Sequence, residues 1–203
     1  MSDFWIHTRH GAAFDLLEPK PEQILLADIA YALAGICRYT GHGRITVAEH
    51  SVLVAKLLYR CMGDLSLAWQ GLMHDAHEAY IGDDASPKKR ALFFLGGRGP
   101  FEKLEGIVAG AVRARFGLPA ELDKAVVSAD LTLLVTEAPT QLAWPPPRDW
   151  RVSAVPDGGS TIDVSSHEIA ELRFLDAVIA FSPMQWAEEA MRIRSLRSEG
   201  DAS

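Results

Sequence analysis

The sequence predicts an all-α protein, in which a bundle of helices follows a small N-terminal β-hairpin. Apolar residues recur at helical spacing through most of the chain after about residue 20. Glycine and proline interrupt this pattern at positions typical of helix ends, as at Gly41, Gly82 and Gly117-Leu118-Pro119. Residues 3–15 differ, because two short apolar runs with a turn between them are typical of paired strands.

The hairpin is expected within residues 1–20, where Arg9-His10-Gly11 separates the two apolar runs. The first helix is expected to begin at Pro21, because proline is favoured in the first turn of a helix, and its apolar pattern continues to Gly41. A break is expected at residues 93–100, which are rich in glycine. Further helices are expected at about 46–61, 65–80, 101–116 and 120–138.

Residues 139–165 are rich in proline, glycine and serine, which predicts a long loop. Such a loop could be a lid over a binding pocket or a surface tether, and the tether is favoured because most long loops have no catalytic role. Residues 166–203 are expected to form two closing helices, at about 166–181 and 184–197, and a polar tail. The length of 203 residues favours a single domain that spans residues 1–203.

The composition is that of an ordinary soluble globular protein, with 48% hydrophobic and 23% charged residues. No apolar run approaches the roughly 18 residues that span a bilayer, and the N-terminus has no signal-peptide pattern, so the expected location is the cytoplasm. The net charge of −7 argues against binding to nucleic acid polymers, which generally requires an extended basic face. A small anionic ligand needs only a local cationic pocket, and it remains compatible with this charge.

The pair His74-Asp75 lies in an apolar stretch that is expected to be helical and buried. Burial of an ionised carboxylate costs several kcal/mol unless a charge, a metal or hydrogen bonds compensate it. Residues three or four positions apart share one face of a helix, so Glu78 is expected to lie beside both residues of the pair. The alternative for an isolated His-Asp pair is a hydrogen-bonded histidine beside a solvated acid.

Two further residues strengthen the metal interpretation. His50 shares a helical stripe with Val47 and Val54, and this stripe is expected to face inward. Asp130 is the only charged residue in the range 125–136. Two imidazoles and two carboxylates form a mixed set of ligands that suits Mn²⁺, Co²⁺, Fe²⁺, Ni²⁺ or Zn²⁺, with Mg²⁺ as a further candidate.

The order of these residues resembles that of the HD-domain metal-dependent phosphohydrolases, in which a His, an adjacent His-Asp pair and a distant Asp lie on successive helices. The resemblance covers residues 4–138 and is closest to one branch, that of bacterial 5'-deoxynucleotidases and phage deoxynucleoside triphosphohydrolases. The motifs that carry it are Asp28-Ile29-Ala30-Tyr31-Ala32-Leu33, Ile36-Cys37-Arg38-Tyr39, Gly41-His42, Val47-Ala48-Glu49-His50-Ser51-Val52 and Gly82-Asp83.

The resemblance implies an HD-domain helical bundle with the metal ligands His50, His74, Asp75 and Asp130. It implies that Glu78 and Asp83 are catalytic, and Glu78 is also the residue best placed to position or deprotonate a water molecule. A bound cation would polarise a phosphoryl group and lower the pKa of its water. Related proteins form dimers or larger rings, so a homo-oligomer is expected.

Substrate contacts are expected from cations and from the loop before the first ligand helix. The resemblance implies that Arg38 and Lys89 bind phosphate, Arg38 with a planar fork and Lys89 as a point charge. Tyr39 occupies a position where some relatives carry a tryptophan packed against the sugar. His42 lies in a glycine-containing loop and could contact substrate or serve the structure alone.

The expected function is metal-dependent hydrolysis of a small nucleotide. The preferred activity is that of a 5'-deoxynucleotidase, which acts on deoxynucleoside monophosphates. One alternative is release of triphosphate from deoxynucleoside triphosphates, and another is a non-catalytic sensor that binds nucleotide in the same pocket. Glu78 and Asp83 argue against the sensor, because a protein that only binds nucleotide has no need of an acid that activates water.

Overall fold

The computed structural model describes residues 3–96 and 99–200, and it confirms an all-α fold with a small N-terminal hairpin. The strands β1 (Trp5–His7) and β2 (Ala13–Asp15) pair antiparallel, with Ile6 opposite Phe14. The helices are α1 (Leu26–Gly35), α2 (Val47–Met62), α3 (Leu65–Met73), α4 (Glu78–Ile81), α5 (Ser86–Gly96), α6 (Gly99–Phe116), α7 (Lys124–Gln141), α8 (His167–Phe181) and α9 (Met184–Gly200).

Helix α2 lies at the centre of the fold, where it contacts α1, α3, α7 and α8. Its ends are well specified by the sequence. Thr46 and Glu49 form a reciprocal capping box at the N-terminus, and Gly63 adopts the left-handed conformation that ends the helix. The main core packs around this helix and includes the fully buried side chains of Phe14, Ile29, Leu33, Val47, Leu72 and Phe174.

The prediction of one helix from Pro21 to Gly41 is wrong. A single 3-10 turn, Pro21–Gln23, precedes α1, and the chain is extended after Gly35. There Cys37 pairs with Thr46 in an isolated antiparallel β-bridge. The backbone amide of Arg38 donates to the carbonyl of Ile45 at 2.9 Å, and the amide of Val47 donates to the carbonyl of Ile36 at 2.9 Å. Backbone pairing to the residues before α2 therefore replaces the last turns of the expected helix.

The predicted helix over residues 65–80 is interrupted. Helix α3 ends at Met73, residues 74–77 form a turn, and α4 is a short separate helix. His74 Nδ1 lies 2.7 Å from the carbonyl oxygen of Gly71, which would accept a bond from the amide of Asp75 in a continuous α-helix. The imidazole thus takes the place of a backbone donor where the helix stops.

Residues 86–96 form helix α5, although the sequence pattern gives no helix there. Pro87 lies in the first turn, where a missing N–H costs nothing, and Lys88 forms an ion pair with Asp84. None of the described side chains of α5 is buried, and its sequence has no apolar stripe at helical spacing from which the helix could be predicted. The break expected at residues 93–100 is narrower than predicted, because helix continues to Gly96 and begins again at Gly99; residues 97–98 lie outside the described residues.

Helix α7 begins at Lys124 and ends at Gln141, later at both ends than the predicted range of 120–138. Asp123 caps its N-terminus, and Pro139 lies inside its last turn. The long loop therefore starts at residue 142 instead of 139. The closing helices α8 and α9 agree with their predicted ranges within about three residues.

The hairpin packs against the short helix α4. The ring of Phe14 stacks on that of Tyr80, with centroids 3.9 Å apart and planes inclined by 14°. Because α4 also carries Glu78, this contact helps to position the candidate site.

None of the described helices is both long enough and apolar enough to cross a bilayer.

Candidate functional site

Three of the four expected metal ligands come together between α2, α3 and α7. One ligand atom from each of His50, His74 and Asp130 lies within 4.8 Å of the other two. Both imidazoles are buried, whereas the side chain of Asp130 is 35% exposed. Two nitrogen ligands and one oxygen ligand at this separation could hold a divalent transition metal.

The two imidazoles are oriented so that each presents Nε2 to the cluster. His74 Nδ1 lies 2.7 Å from the Gly71 carbonyl, and His50 Nδ1 lies 2.8 Å from a carboxylate oxygen of Glu137. Both Nε2 atoms are buried and have no hydrogen-bond partner within the described part of the chain. Buried polar atoms are rarely left unpaired, so these two nitrogens fit metal ligation.

Close contacts without hydrogen-bond geometry support the same interpretation. His50 Nε2 is 3.1 Å from a carboxylate oxygen of Asp130, yet it forms no hydrogen bond. Burial and Arg38 lower the pKa of His50, but the carboxylates of Glu137 and Asp130 outweigh them and raise it to about 9. The imidazole of His50 therefore lies between two acidic side chains, as a ligand of a cation would.

Asp75, the fourth expected ligand, lies at the edge of this group. One carboxylate oxygen is 3.0 Å from His74 Nε2, but Asp75 is not within 4.8 Å of all three cluster atoms. Burial alone would raise the pKa of Asp75, whereas the imidazoles of His74 and His50 hold it below its usual range. The carboxylate is thus ionised and contacts one member of the cluster, His74.

Glu78 begins helix α4 and is buried, with one carboxylate oxygen that has no hydrogen-bond partner among the described residues. Burial, followed by the carboxylates of Asp75 and Asp83, raises the pKa of Glu78 to about 10. Burial also raises the pKa of Asp83, although Arg38 opposes it. A carboxyl group with a strongly raised pKa in a cavity is typical of acid–base sites.

A cavity of about 300 Å³ lies beside the cluster, between the turn at residues 74–77 and helices α5 and α6. Its lining includes Glu78 and Lys89, both predicted from the sequence, and also His77. The Lys89 ammonium forms an ion pair with Glu105, which is 3.6 Å from His77 Nε2. Lys89 therefore reaches the cavity, but a carboxylate neutralises it there.

Arg38 is mostly buried and is not among the residues that line the cavity. Its Nε is 3.2 Å from a carboxylate oxygen of Glu137, and the Tyr39 hydroxyl donates to that same oxygen at 3.5 Å. Burial lowers the pKa of Arg38, but the carboxylates of Glu137, Asp130 and Asp75 more than compensate, so it is raised and the group stays charged.

His42 is not brought into the site. It is exposed at the end of the turn Tyr39–Gly41, where its backbone amide donates to the Tyr39 carbonyl at 3.0 Å. It is not among the residues that line the cavity. In this structure the geometry gives His42 a backbone role and no contact with the cavity.

Two residues of the site are absent from the sequence-based prediction. Glu137 is fully buried and contacts both His50 and Arg38. Its position seven residues after Asp130 places both carboxylates on one face of α7, which is the pattern that could have revealed it. Glu105 left no such pattern, because its partners come from other segments of the chain.

The long loop is attached to the helical body by several contacts, among them hydrogen bonds of Asp157 and Ser165. The backbone amide of Asp157 donates to Thr136 Oγ1 at 2.8 Å, and both the amide and the hydroxyl of Ser165 donate to Glu49 at 2.7 Å. These bonds attach the loop to α7 and α2.

No protein-family model matches the sequence. The chain is similar to the uncharacterized protein RCAP_rcc00048 of Rhodobacter capsulatus, with 36% identity over 148 residues that cover 68% of this chain and 73% of the relative. It is also similar to the uncharacterized protein YfdR of Escherichia coli K12, with 34% identity over 135 residues that cover 66% of this chain and 70% of the relative. With identity and coverage at these levels, the chain belongs to the same family as RCAP_rcc00048 and YfdR.

Proposed function

We propose that this protein is an HD-domain-type, divalent-metal-dependent phosphohydrolase that acts on deoxynucleoside 5'-monophosphates. The observation that carries the proposal is the cluster of His50, His74 and Asp130 beside a cavity that contains Glu78 and Lys89. The cluster offers ligands for a cation, and the cavity offers a proton-carrying group and a cationic group.

The metal would be held by His50 Nε2, His74 Nε2 and Asp130, with Asp75 as the fourth ligand. When bound, a divalent cation polarises a phosphoryl oxygen and lowers the pKa of water. The mixed nitrogen and oxygen set fits Mn²⁺, Co²⁺, Fe²⁺, Ni²⁺ or Zn²⁺ better than Ca²⁺.

Glu78 would act as the general base and general acid for the attacking water. Its raised pKa means that it is protonated at neutral pH when no cation is near. A neighbouring positive charge favours the carboxylate, so the pKa of Glu78 would fall toward neutrality in the loaded protein. Its free carboxylate oxygen could then accept a proton from water and return it to the leaving oxygen.

Arg38 and Lys89 would bind the phosphate from two sides. The positive charges of both groups lower the pKa of Glu78 and of Asp83, against the larger effect of burial. Arg38 is held in place by Glu137, whereas Lys89 would exchange Glu105 for the phosphate.

The charge around the cavity favours a monophosphate over a triphosphate. The lining contains the acidic residues Asp75, Glu78, Glu102 and Glu105 but only two cationic ones, Lys89 and Arg113. A triphosphate brings several negative charges and needs more cations than this cavity supplies. A cavity of about 300 Å³ is also at the small end of the range for ligand sites.

A phosphate-release assay with Mn²⁺, Co²⁺ or Mg²⁺ tests the proposal. We expect free phosphate from deoxynucleoside monophosphates, and chromatography should show no triphosphate released from deoxynucleoside triphosphates. Triphosphate release would support the alternative hydrolase activity. Thermal stabilisation by nucleotides without any turnover would contradict an enzyme and support the sensor.

A further inference from the structure

Glu137 lies at a point of the site that links the metal cluster to the phosphate side. Its side chain is 0% exposed, and its two oxygens have different partners. One oxygen is 2.8 Å from His50 Nδ1. The other is 3.2 Å from Arg38 Nε and accepts a hydrogen bond from the Tyr39 hydroxyl at 3.5 Å.

Folding alone gives no reason for a carboxylate at this position. Burial of an ionised carboxylate is costly, and a buried ion pair often stabilises a protein no better than an apolar group of the same size. The groups that compensate this cost are the imidazole of His50, with Nδ1 2.8 Å away, and the guanidinium of Arg38, with Nε 3.2 Å away. Both partners are residues of the candidate site.

We propose that Glu137 is a positioning residue that acts through His50 on the metal and through Arg38 on the phosphate. By accepting a hydrogen bond from His50 Nδ1, it leaves Nε2 to face Asp130 and His74. Its ion pair with Arg38, whose Nε is 3.2 Å from the carboxylate but forms no hydrogen bond among the described residues, holds the guanidinium near the cluster, where its N–H groups can turn to an anion. The inference rests on the proposed function, since it needs the cluster to bind a metal.

A comparison with His74 shows what the carboxylate adds. His74 Nδ1 faces a neutral backbone carbonyl, that of Gly71. Both arrangements fix the ring, but a carboxylate partner also increases the basicity of the ligand nitrogen. The contribution of Glu137 to metal affinity should therefore depend on its charge.

Zinc affinity of the full chain, measured by competition with a chromophoric chelator, tests this inference. Glu137→Gln keeps the size of the side chain and an acceptor oxygen but removes the charge. We expect Zn²⁺ to bind about 10- to 100-fold more weakly, the usual loss when such a partner of a ligand is removed. The matched control is Glu171→Gln, which changes another buried carboxylate. Glu171 on α8 pairs with Arg197 on α9, so its change should leave the zinc affinity unchanged.

A measurement on the unmutated protein covers the case in which Glu137→Gln does not fold. In the zinc-loaded wild type, nitrogen-15 NMR should show His50 bound through Nε2, with a slowly exchanging proton on Nδ1. Binding through Nδ1 would overturn the inference.

The outcomes separate the two proposals. Wild-type protein that binds no Zn²⁺, Mn²⁺ or Co²⁺ would overturn the proposed function and this inference together. Wild-type protein that binds Zn²⁺ with the same affinity as folded Glu137→Gln would overturn this inference alone.

Discussion

The two sides of the candidate site are built in different ways. On one side, His50 on α2 and His74 at the end of α3 are buried, and their Nδ1 atoms have partners inside the protein. On the other side, α5 buries none of its described side chains, and Lys89 is held by the partly exposed Glu105. The ligand side is thus fixed by folding, whereas the cavity wall depends on ion pairs at the surface that a ligand can replace.

The largest expected effect is the loss of metal in His50→Ala. Without this imidazole the cluster keeps one nitrogen ligand, and we expect elemental analysis to find no stoichiometric metal. The wild type should gain about 2.7 kcal/mol of stability when the metal concentration is about 100 times the dissociation constant, and the variant should gain none. His7→Ala, at an exposed histidine of β1, is the control and should keep both properties.

A full equivalent of metal retained by His50→Ala would show that the cluster does not hold the cation. The comparison between the two sides would then lose its basis.

Glu78→Gln should abolish most of the turnover without loss of metal. Removal of a general acid–base group typically lowers kcat about 10²- to 10⁴-fold. Steady-state kinetics with a deoxynucleoside monophosphate, together with metal analysis of the same sample, measures both quantities. Glu171→Gln makes the same change in a buried carboxylate of α8 and should retain the wild-type kcat.

A variant Glu78→Gln with wild-type kcat would assign proton transfer to another group. Asp83 would then be the next candidate, since burial raises its pKa as well.

The ligand side was largely predictable from the sequence, because its information is local. A histidine or an aspartate in an apolar helical stripe is unusual enough to identify, as His50 and Asp130 show. The bend after Met73 was not predictable, since it depends on the contact between the His74 ring and a backbone carbonyl. Periodicity alone cannot reveal such a contact.

The cavity wall was poorly predictable for the opposite reason. The apolar residues of α5 are consecutive, from Ala91 to Leu95, so the helical spacing that identifies a buried face is missing. Lys89 was assigned from the resemblance, but its partner Glu105 lies on α6, and only the three-dimensional packing brings the two together. Pairings between exposed charges from separate segments leave no periodic pattern in a sequence.

Alanine in place of glycine should have opposite effects on the two sides. A Cβ at Gly71 would lie 2.5 Å from a methyl of Leu58 and 3.1 Å from a methyl of Val54, so Gly71→Ala must displace these buried side chains and should cost about 1–3 kcal/mol. A Cβ at Gly110 in α6 would meet nothing within 4 Å, and Gly110→Ala should add about 0.5–1 kcal/mol. Urea denaturation measures both, and equal effects would refute the difference in packing.

The smallest expected effect is that of Glu105→Gln on the cavity wall, and it depends on pH. His77, whose Nε2 is 3.6 Å away, and the ion pair with Lys89 lower the pKa of Glu105 from 4.5 to about 2. Because the folded pKa is depressed, the stabilisation is complete above the unfolded pKa and is lost as the pH falls from about 4.5 to about 2. Glu105 is 24% exposed, so solvent screening limits the benefit to at most about 1 kcal/mol.

Urea denaturation of metal-free wild type and Glu105→Gln should therefore differ at about pH 6 and converge toward about pH 2. Asp163→Asn removes a carboxylate that is 63% exposed, and it should have almost no effect at either pH. Glu105→Gln should also bind inorganic phosphate more tightly than the wild type, because Lys89 no longer has a competing carboxylate. Unchanged phosphate affinity would mean that Glu105 only supports the wall, and that the ion pair does not stand where the substrate binds.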